Sequence, residues 1–479
     1  MVIRHKAIRL LLAFITLGCV PAVAQSSEPK EEYRSISYKA LIQEAEVRYK
    51  ARVGIELIRC RDGQSISRHR EQELMTPASV VKMLSTGAAL RERGGNYRFA
   101  TKIYYTGSIS GNTLEGDLNI YGSADPSIGS KHIEMPNKLI NEIVYSLQTL
   151  GIQRIEGSIC LYTGLPEESV PPSWMLEDLH EPYGAGLYGL NYADNTLSLS
   201  VSSPRQRGAI KLHEEQPTGI EWKSSLRQSG KGGRITIAHS SGSPQIILRG
   251  SLARGERRSL RMSNPSPALT LGHRLSQAMS LSGIELVGQI RSISTQERPR
   301  GKLLHTYFSP TLKELCRITN YESQNLYAEG IATLLTEHRH HDKGEALTEY
   351  WQRQLSLPQT AMQLRDGSGL SRLNQITPSA LALILHNLMG GALPLDGIVV
   401  ETLPEAGSEG TVRNLSLPYG LKSYLKSGTM RGVCCYAGYI FYQNEWYVLA
   451  YMSNGIPSAR LSRELLYTLL YSIFHEQTP

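Results

Sequence analysis

Apolar and polar positions change rhythm several times along the chain, and each change predicts an element. "IQEAEVRYKA" (42–51) has helical spacing. "RVGIELIRC", then Asp62-Gly63, then "QSISRHRE" reads as strand, turn, strand, because Asp-Gly between β-formers favours a tight hairpin. "MTPASVVKML" (75–84) opens a helix, with Thr76 as its cap and Pro77 in the first position. Ser79 and Lys82 then share one face, one turn apart. From about 97 to 285 the texture differs. Short alternating runs such as "YRFATKIYYTG", "NTLSLSVSS", "GRITIAHS" and "PQIILRGSL" predict strands, and "PNKLINEIVYSLQTLG" is a helical exception. Segments near 164–175 and 203–232 read as loops.

Helices return after about 303 with "TLKELCRITNYESQNLYAEGIATLL", "GEALTEYWQRQL" and "TPSALALILHNLM". "GVCCYAGYIFY", a "QNE" turn and "WYVLAYMSNG" predict a second hairpin. The last helix, "SRELLYTLLYSIFHEQ", has an apolar stripe of Leu466, Leu469, Leu470 and Ile473. Such a stripe docks on a sheet or lies on a membrane, and the lack of a basic polar face favours the sheet. Both hairpins fit one antiparallel sheet, with the strand-rich stretch looped out between them.

Length adds a bound: 479 residues suggest two or three domains of about 150 residues each. The first 24 residues read as an export signal: a basic start, a short apolar run and "AVA" before Gln25. Cys19 offers a competing lipid-attachment site. No other stretch approaches the apolar length of a membrane helix. The expected protein is exported, periplasmic or in the cell envelope, and soluble after cleavage, with peripheral membrane contact left open.

The formal charge is +8, and removing Arg4, Lys6 and Arg9 with the signal leaves about +5. The basic residues are scattered, without the Lys/Arg block of a nucleic-acid groove, so no nucleic-acid partner is expected. A mild positive balance suits anionic cell-surface polymers. Five cysteines remain after the signal, an odd number at wide spacing, which argues against a disulfide framework and a zinc site.

Three motifs carry chemistry. Ser79-x-x-Lys82 pairs a hydroxyl with an amine. Lysine becomes a base when desolvation or nearby positive charge lowers its pKa, and an apolar helix start provides both. In "NYESQNLYAEG", Ser323 can relay a proton and Asn325 can hydrogen-bond lysine and substrate. In "LKSGTMRG", Lys426, Gly428 and Thr429 precede a strand and suit an extended peptide ending in a carboxylate. Each motif alone is common. Together, in this order, they match the Ser-x-x-Lys, Ser-x-Asn and Lys-x-Gly set of penicillin-interacting serine enzymes.

With "GDLNIYGSADPSIG", "DGSGLSRLNQITP" and "KSGTMRGVCCYAGYI", the chain resembles the D-alanyl-D-alanine carboxypeptidase/endopeptidases of low-molecular-mass class C, penicillin-binding proteins. The resemblance spans residues 35–475. It implies an α+β fold: a penicillin-binding serine acyltransferase core, an antiparallel sheet flanked by helices, with strand-rich inserted domains. It implies a catalytic domain of residues 25–96 and 286–479. Inserted domain II would be 97–195 with 262–285, and inserted domain III 196–261.

The resemblance also implies roles. Ser79 matches the acylated nucleophile, Lys82 its base, Ser323 the hydroxyl passing a proton to departing D-alanine, and Asn325 the amide orienting Lys82 and substrate. Lys426 and Thr429 match the side holding the substrate carboxylate, next to Gly428. Backbone N–H groups of Ser79 and Thr429 match the oxyanion hole. Asp178, Tyr183, Arg372 and Met430 match a pocket for the stem peptide's side chain. The implied partners are peptidoglycan stem peptides, with β-lactams as covalent inhibitors, and no cofactor is implied. Departures from the pattern are Ser427 for threonine, Gln324 for aspartate, and Arg431, a cation at a pocket-lining position. Two other readings stay open: a β-lactamase or esterase on the same core, and a non-catalytic wall-binding or β-lactam-sensing protein.

Overall fold

Ser37 caps the first helix, α1 (Tyr38–Tyr49), its hydroxyl accepting from the Ala40 N–H. This computed structural model describes residues 37–164, 170–294, 300–336, 343–390 and 397–475. The expected signal at 1–24, Cys19 and the polar stretch 25–35 lie outside the described residues. β1 (Arg52–Arg59) and β2 (Ser65–His69) form the hairpin expected around Asp62-Gly63, with Gly63 at φ 69 in the turn.

α2 (Val81–Arg93) follows, but not through the expected cap. The Asn454 side chain takes both the Thr76 N–H (2.9 Å) and the Thr76 carbonyl (3.1 Å). The chain then passes Ala78 at φ 50 and makes a 3-10 turn, Ala78–Val80, before α2 begins. Ser79 therefore lies in this turn, ahead of the helix that carries Lys82.

The strand-rich stretch has the following elements in chain order. β3 (Ala100–Tyr105), β4 (Ser108–Ser110), β5 (Thr113–Glu115) and β6 (Leu118–Tyr121) precede α3 (Lys138–Thr149), β7 (Arg154–Ile155) and β8 (Ile159–Tyr162). Next come β9 (Thr196–Ser202), β10 (Lys211–His213), β11 (Glu221–Ser229), β12 (Ile235–Ala238), β13 (Gln245–Ala253) and β14 (Arg257–Ser263). α4 (Pro267–Leu281), β15 (Glu285–Leu286), β16 (Ile290–Ile293) and β17 (Lys302–Phe308) complete it. One sheet runs β16-β8-β6-β3-β17, and α3 and α4 pack Leu139, Ile143, Leu271 and Leu275 into its core. A smaller one runs β15-β7-β5-β4. The sheets β10-β9-β14 and β11-β13-β12 share a separate core of Leu199, Val201, Ile246 and Leu248.

Two expectations differ here. The boundary expected between 285 and 286 cuts through β15 of the smaller sheet, and the inserted stretch continues beyond it, because β16 pairs with β8 and β17 with β3 as far as Phe308. Those ladder partners lie far upstream, where no local pattern reveals them. The expected loop 203–232 contains β10 and all nine residues of β11. "EWKSSLRQS" shows no apolar alternation; parallel pairing with β13 along its whole length makes it a strand. The stretch leaves and returns at one point. The Ser309 N–H donates to the Phe99 carbonyl (3.0 Å), and the Phe99 N–H donates to the Ser309 hydroxyl (3.0 Å).

The chain then forms α5 (Leu312–Glu322), α6 (Asn325–Ala332), α7 (Lys343–Leu355), the short pair β18 (Met362–Gln363) and β19 (Gln375–Ile376), α8 (Pro378–Met389) and α9 (Ile398–Glu401). A capping box between Thr311 and Glu314 starts α5. β20 (Lys422–Met430), β21 (Val433–Tyr442), β22 (Glu445–Asn454) and α10 (Ala459–His475) end the fold. The two hairpins do share one antiparallel sheet, β2-β1-β22-β21-β20. α8 packs Leu381, Ile384 and Leu385 on one side, where the Tyr439 hydroxyl donates to the Leu385 carbonyl (3.0 Å). On the other side Tyr451 meets Ser462 of α10 at 3.1 Å. Leu466, Leu469 and Leu470 are fully buried, so docking accounts for the apolar stripe. Among the described residues no helix is long and apolar enough to cross a membrane.

Because Leu385 is wholly buried between α8 and the sheet, Leu385→Ala is expected to lower the unfolding free energy by about 2–5 kcal/mol in denaturant titrations.

Candidate active site

Three separated pieces of chain converge on the Lys82 amine. Lys82 is completely buried, and its Nζ lies 3.0 Å from the Ser79 hydroxyl, 2.6 Å from Asn325 Oδ1 and 2.6 Å from the Ser368 carbonyl. An ammonium donates to all three. A neutral amine has two N–H bonds and one lone pair. The two carbonyl oxygens take the N–H bonds, and the lone pair is left facing the Ser79 hydroxyl. Burial pulls the Lys82 pKa down to about 7, against the opposing fields of Asp366 and Glu329.

Local backbone geometry brings these groups together. α5 ends at Ser323, which takes φ 57 and stops the helix, and α6 restarts at Asn325. That break turns the Ser323 hydroxyl toward Lys426, whose Nζ donates to it at 3.0 Å and to the Ser427 carbonyl at 2.7 Å. Lys426 is also fully buried; burial, then the neighbouring Lys82, holds its pKa well below the usual lysine range.

β20 is an edge strand. Its first half is covered: the Ala406 N–H donates to Ser423 and the Leu425 N–H to Pro404. Gly428, further along, lies against the Ser79 turn. A Cβ there would come within 2.6 Å of the Pro77 carbonyl and 2.9 Å of the Ser79 nitrogen. Thr429 and Met430 follow on the same strand.

The residues expected to line a side-chain pocket lie on three segments of chain. The Asn325 side-chain amide donates to the Tyr183 carbonyl (2.8 Å), so the segment carrying Asp178 and Tyr183 rests on the centre. The Tyr183 hydroxyl donates to Asp178 Oδ1 (2.8 Å). Arg372 Nη1 reaches the carbonyl of Arg431, next to Met430, at 3.4 Å.

Motif reading missed several supporting groups. Ser368 contributes through its carbonyl, which has no side-chain signature. Asp366, fully buried, accepts from the Gly369 (2.7 Å) and Ser371 (2.6 Å) N–H groups, Asn374 Nδ2 (2.8 Å) and Trp174 Nε1 (2.8 Å). It thereby fixes the turn that presents Ser368. Both residues lie within "DGSGLSR", so the segment was visible although these roles were not. Glu329 accepts from the Gly367 N–H (3.0 Å) behind the same turn, and burial raises its pKa to about 7. Gln324, which replaces the usual aspartate, contacts His132 at 2.9 Å.

A family model described as D-Ala-D-Ala carboxypeptidase 3 (S13) matches residues 37–465. The chain belongs to this family. It is accordingly a serine-type D-Ala-D-Ala carboxypeptidase. The D-alanyl-D-alanine carboxypeptidase of Actinomadura sp. (strain R39) is 22% identical over 453 residues, covering 90% of this chain and 82% of that one. Penicillin binding protein 4 from Haemophilus influenzae superposes with a TM-score of 0.76 at 20% identity, over 92% of this chain and 99% of that one. The same protein complexed with a novel β-lactam gives 0.73 at 20% identity, with the same coverage. The shared architecture is the penicillin-binding fold, with the α+β character expected from the sequence.

In this S13 chain, the close approach of Gly428 to the Ser79 turn leaves no room for a methyl group. Gly428→Ala is expected to slow penicillin labelling by roughly a hundredfold, the scale of a small misplacement of reacting groups. Gel fluorography with a fluorescent penicillin, alongside circular dichroism to confirm folding, checks this.

Proposed function

We propose that Ser79 is the nucleophile and Lys82 its base, in a carboxypeptidase/endopeptidase that cleaves peptidoglycan stem peptides through an acyl-enzyme. The observation carrying this reading is the Lys82 amine, with two carbonyl partners and one hydroxyl partner. Lys82 takes the Ser79 proton as Oγ attacks the carbonyl carbon of the penultimate D-alanine. The Ser79 and Thr429 N–H groups stabilise the oxyanion, a donor of this kind contributing about 3 kcal/mol. As the C–N bond breaks, the proton taken up by Lys82 is relayed through the Ser323 hydroxyl, itself bonded to Lys426, to the departing amine, leaving Lys82 neutral and Ser323 unchanged. The amine leaves as D-alanine, or as the amino end of a cross-linked neighbour. Water then cleaves the ester and restores Ser79.

The uncovered half of β20 suits a substrate that adds as an extended strand, its carboxylate beside Lys426 and Thr429. Asp178, oriented by Tyr183, and Arg372 and Met430 line the place for the stem side chain. A β-lactam enters the same path and stays on Ser79 as a slowly hydrolysed ester. The protein acts after export, in the periplasm or cell envelope, with residues 1–24 as the signal.

Ser79→Ala is expected to abolish both release of D-alanine from a stem pentapeptide and covalent penicillin labelling, read by product mass and intact-protein mass. Retained labelling in that variant sinks the assignment.

The pH dependence follows from the lowered Lys82 pKa. Lys82 works as a base only when neutral. The acylation rate is therefore expected to fall tenfold per unit on the acid side and to level off above a pH of about 7. Stopped-flow acylation across pH measures it; a limb near the ordinary lysine value, about 10.4, contradicts the role.

A further inference from the structure

The positive charge of the chain is not evenly spread. Residues 196–263 contain twelve Lys or Arg and four Asp or Glu, a balance of +8. The other 411 residues hold 39 of each sign. The excess thus resides in the two inserted three-stranded sheets, a concentration hidden by the scatter of single basic residues along the chain.

Strand register gives this charge a face. On β9, Leu197, Leu199 and Val201 point into the core, while Ser198, Ser200 and Ser202 point away. Lys211 of β10 and Arg257 of β14 flank Ser202. His213 and Ser259 flank Ser200, and Arg261 lies beside Ser198. No carboxylate occupies any of these outward positions. Among the described residues, no acid pairs with Lys211, Arg257 or Arg261. Three of the four local acids are engaged elsewhere: Glu214 with Thr218 and Trp222, Glu221 with Gln245, and Glu256 with Arg258. Ser200, Ser202, His213 and Arg257 line a concavity of about 480 Å³.

Two observations limit what can lie on this face. No large apolar side chain of residues 196–263 is exposed, so it has nothing to insert into a bilayer. β14 also connects it to the catalytic cleft. At the far end of that strand, Ser263 donates through its hydroxyl to the Leu179 carbonyl (2.5 Å) and through its N–H to the His180 carbonyl (3.1 Å). Those residues belong to the segment carrying Asp178 and Tyr183. Arg257 and Ser263 are six residues apart, about 20 Å along an extended strand.

We propose that this face is a second binding site for the polymeric substrate, holding carboxylates of neighbouring stem peptides while one stem end occupies the Ser79 cleft. This rests on the carboxypeptidase reading of that cleft. A single carboxylate gains little from an exposed cation. A polymer presenting many carboxylates gains from several cations at once, because binding at one raises the local concentration at the next. The serine rows add hydroxyl partners for the sugar and amide groups between the charges.

The test compares wild type with the combined variant Lys211→Gln, Arg257→Gln, Arg261→Gln, and with the single variants Arg257→Gln and Arg257→Glu. Co-sedimentation with purified insoluble peptidoglycan is expected to weaken about tenfold in the triple variant, and wild-type binding to weaken similarly in high salt. Arg257→Glu is expected to weaken it more than Arg257→Gln. Turnover of a soluble stem pentapeptide and penicillin labelling are expected to stay within about twofold of wild type, which also confirms folding. Unchanged sedimentation overturns the proposal. So does an equal loss on the soluble peptide, or wild-type binding to anionic lipid vesicles in preference to peptidoglycan. If the wild type does not turn over the soluble peptide at all, the Ser79 reading fails instead, and sedimentation still judges this face.

Discussion

A completely buried amine organises this protein. Lys82 cannot be hydrated where it lies, so its charged form is disfavoured and its two N–H bonds need fixed acceptors. Asn325 and Ser368 supply them. The positions of α6 and of the turn held by Asp366 follow from that need. Lys426 is buried beside this amine, and burial followed by the nearness of Lys82 holds its own pKa well below the usual lysine range. Glu329 and Asp366 pull the other way and keep the Lys82 pKa near neutrality instead of letting it fall further.

The backbone around this amine is strained in specific places. Ala78 at φ 50 and Ser323 at φ 57 adopt a left-handed conformation costly for residues with a side chain, and each lies at or next to a hydroxyl of the candidate site. Neighbouring contacts hold them there. Asn454 clamps Thr76 ahead of Ala78, while Gly369 and Gly428 let two further segments press against the same turn. A relaxed helix start would place the Ser79 hydroxyl elsewhere on the α2 surface.

Much of this was legible in the sequence because the motifs are local. Ser79 and Lys82, Ser323 and Asn325, and Lys426 with Gly428 each declare themselves within a few residues, and both hairpins follow from alternation and turn chemistry. What sequence hid was non-local or carried by the backbone. The Ser368 carbonyl has no residue signature. β11 has only Trp222 and Leu226 as apolar residues, without alternation, and becomes a strand through its parallel partner. β16 and β17 belong with strands far upstream, so the end of the inserted stretch was placed too early. The cap assigned to Thr76 failed because a side chain from the opposite end of the chain claims its backbone first.

The stitch between Phe99 and Ser309 sets the order in which the molecule can come into being. As the chain emerges from its amino end, Lys82 appears 243 residues before the Asn325 amide that accepts from it. The intervening sheets, whose own ends meet, can mature as a unit while Ser79 and Lys82 still lack their later partners. β20 and β22 emerge later still. Assembly of the complete centre is thus the closing act of biogenesis, because the Asn454 clamp on Thr76 emerges only with the final hairpin.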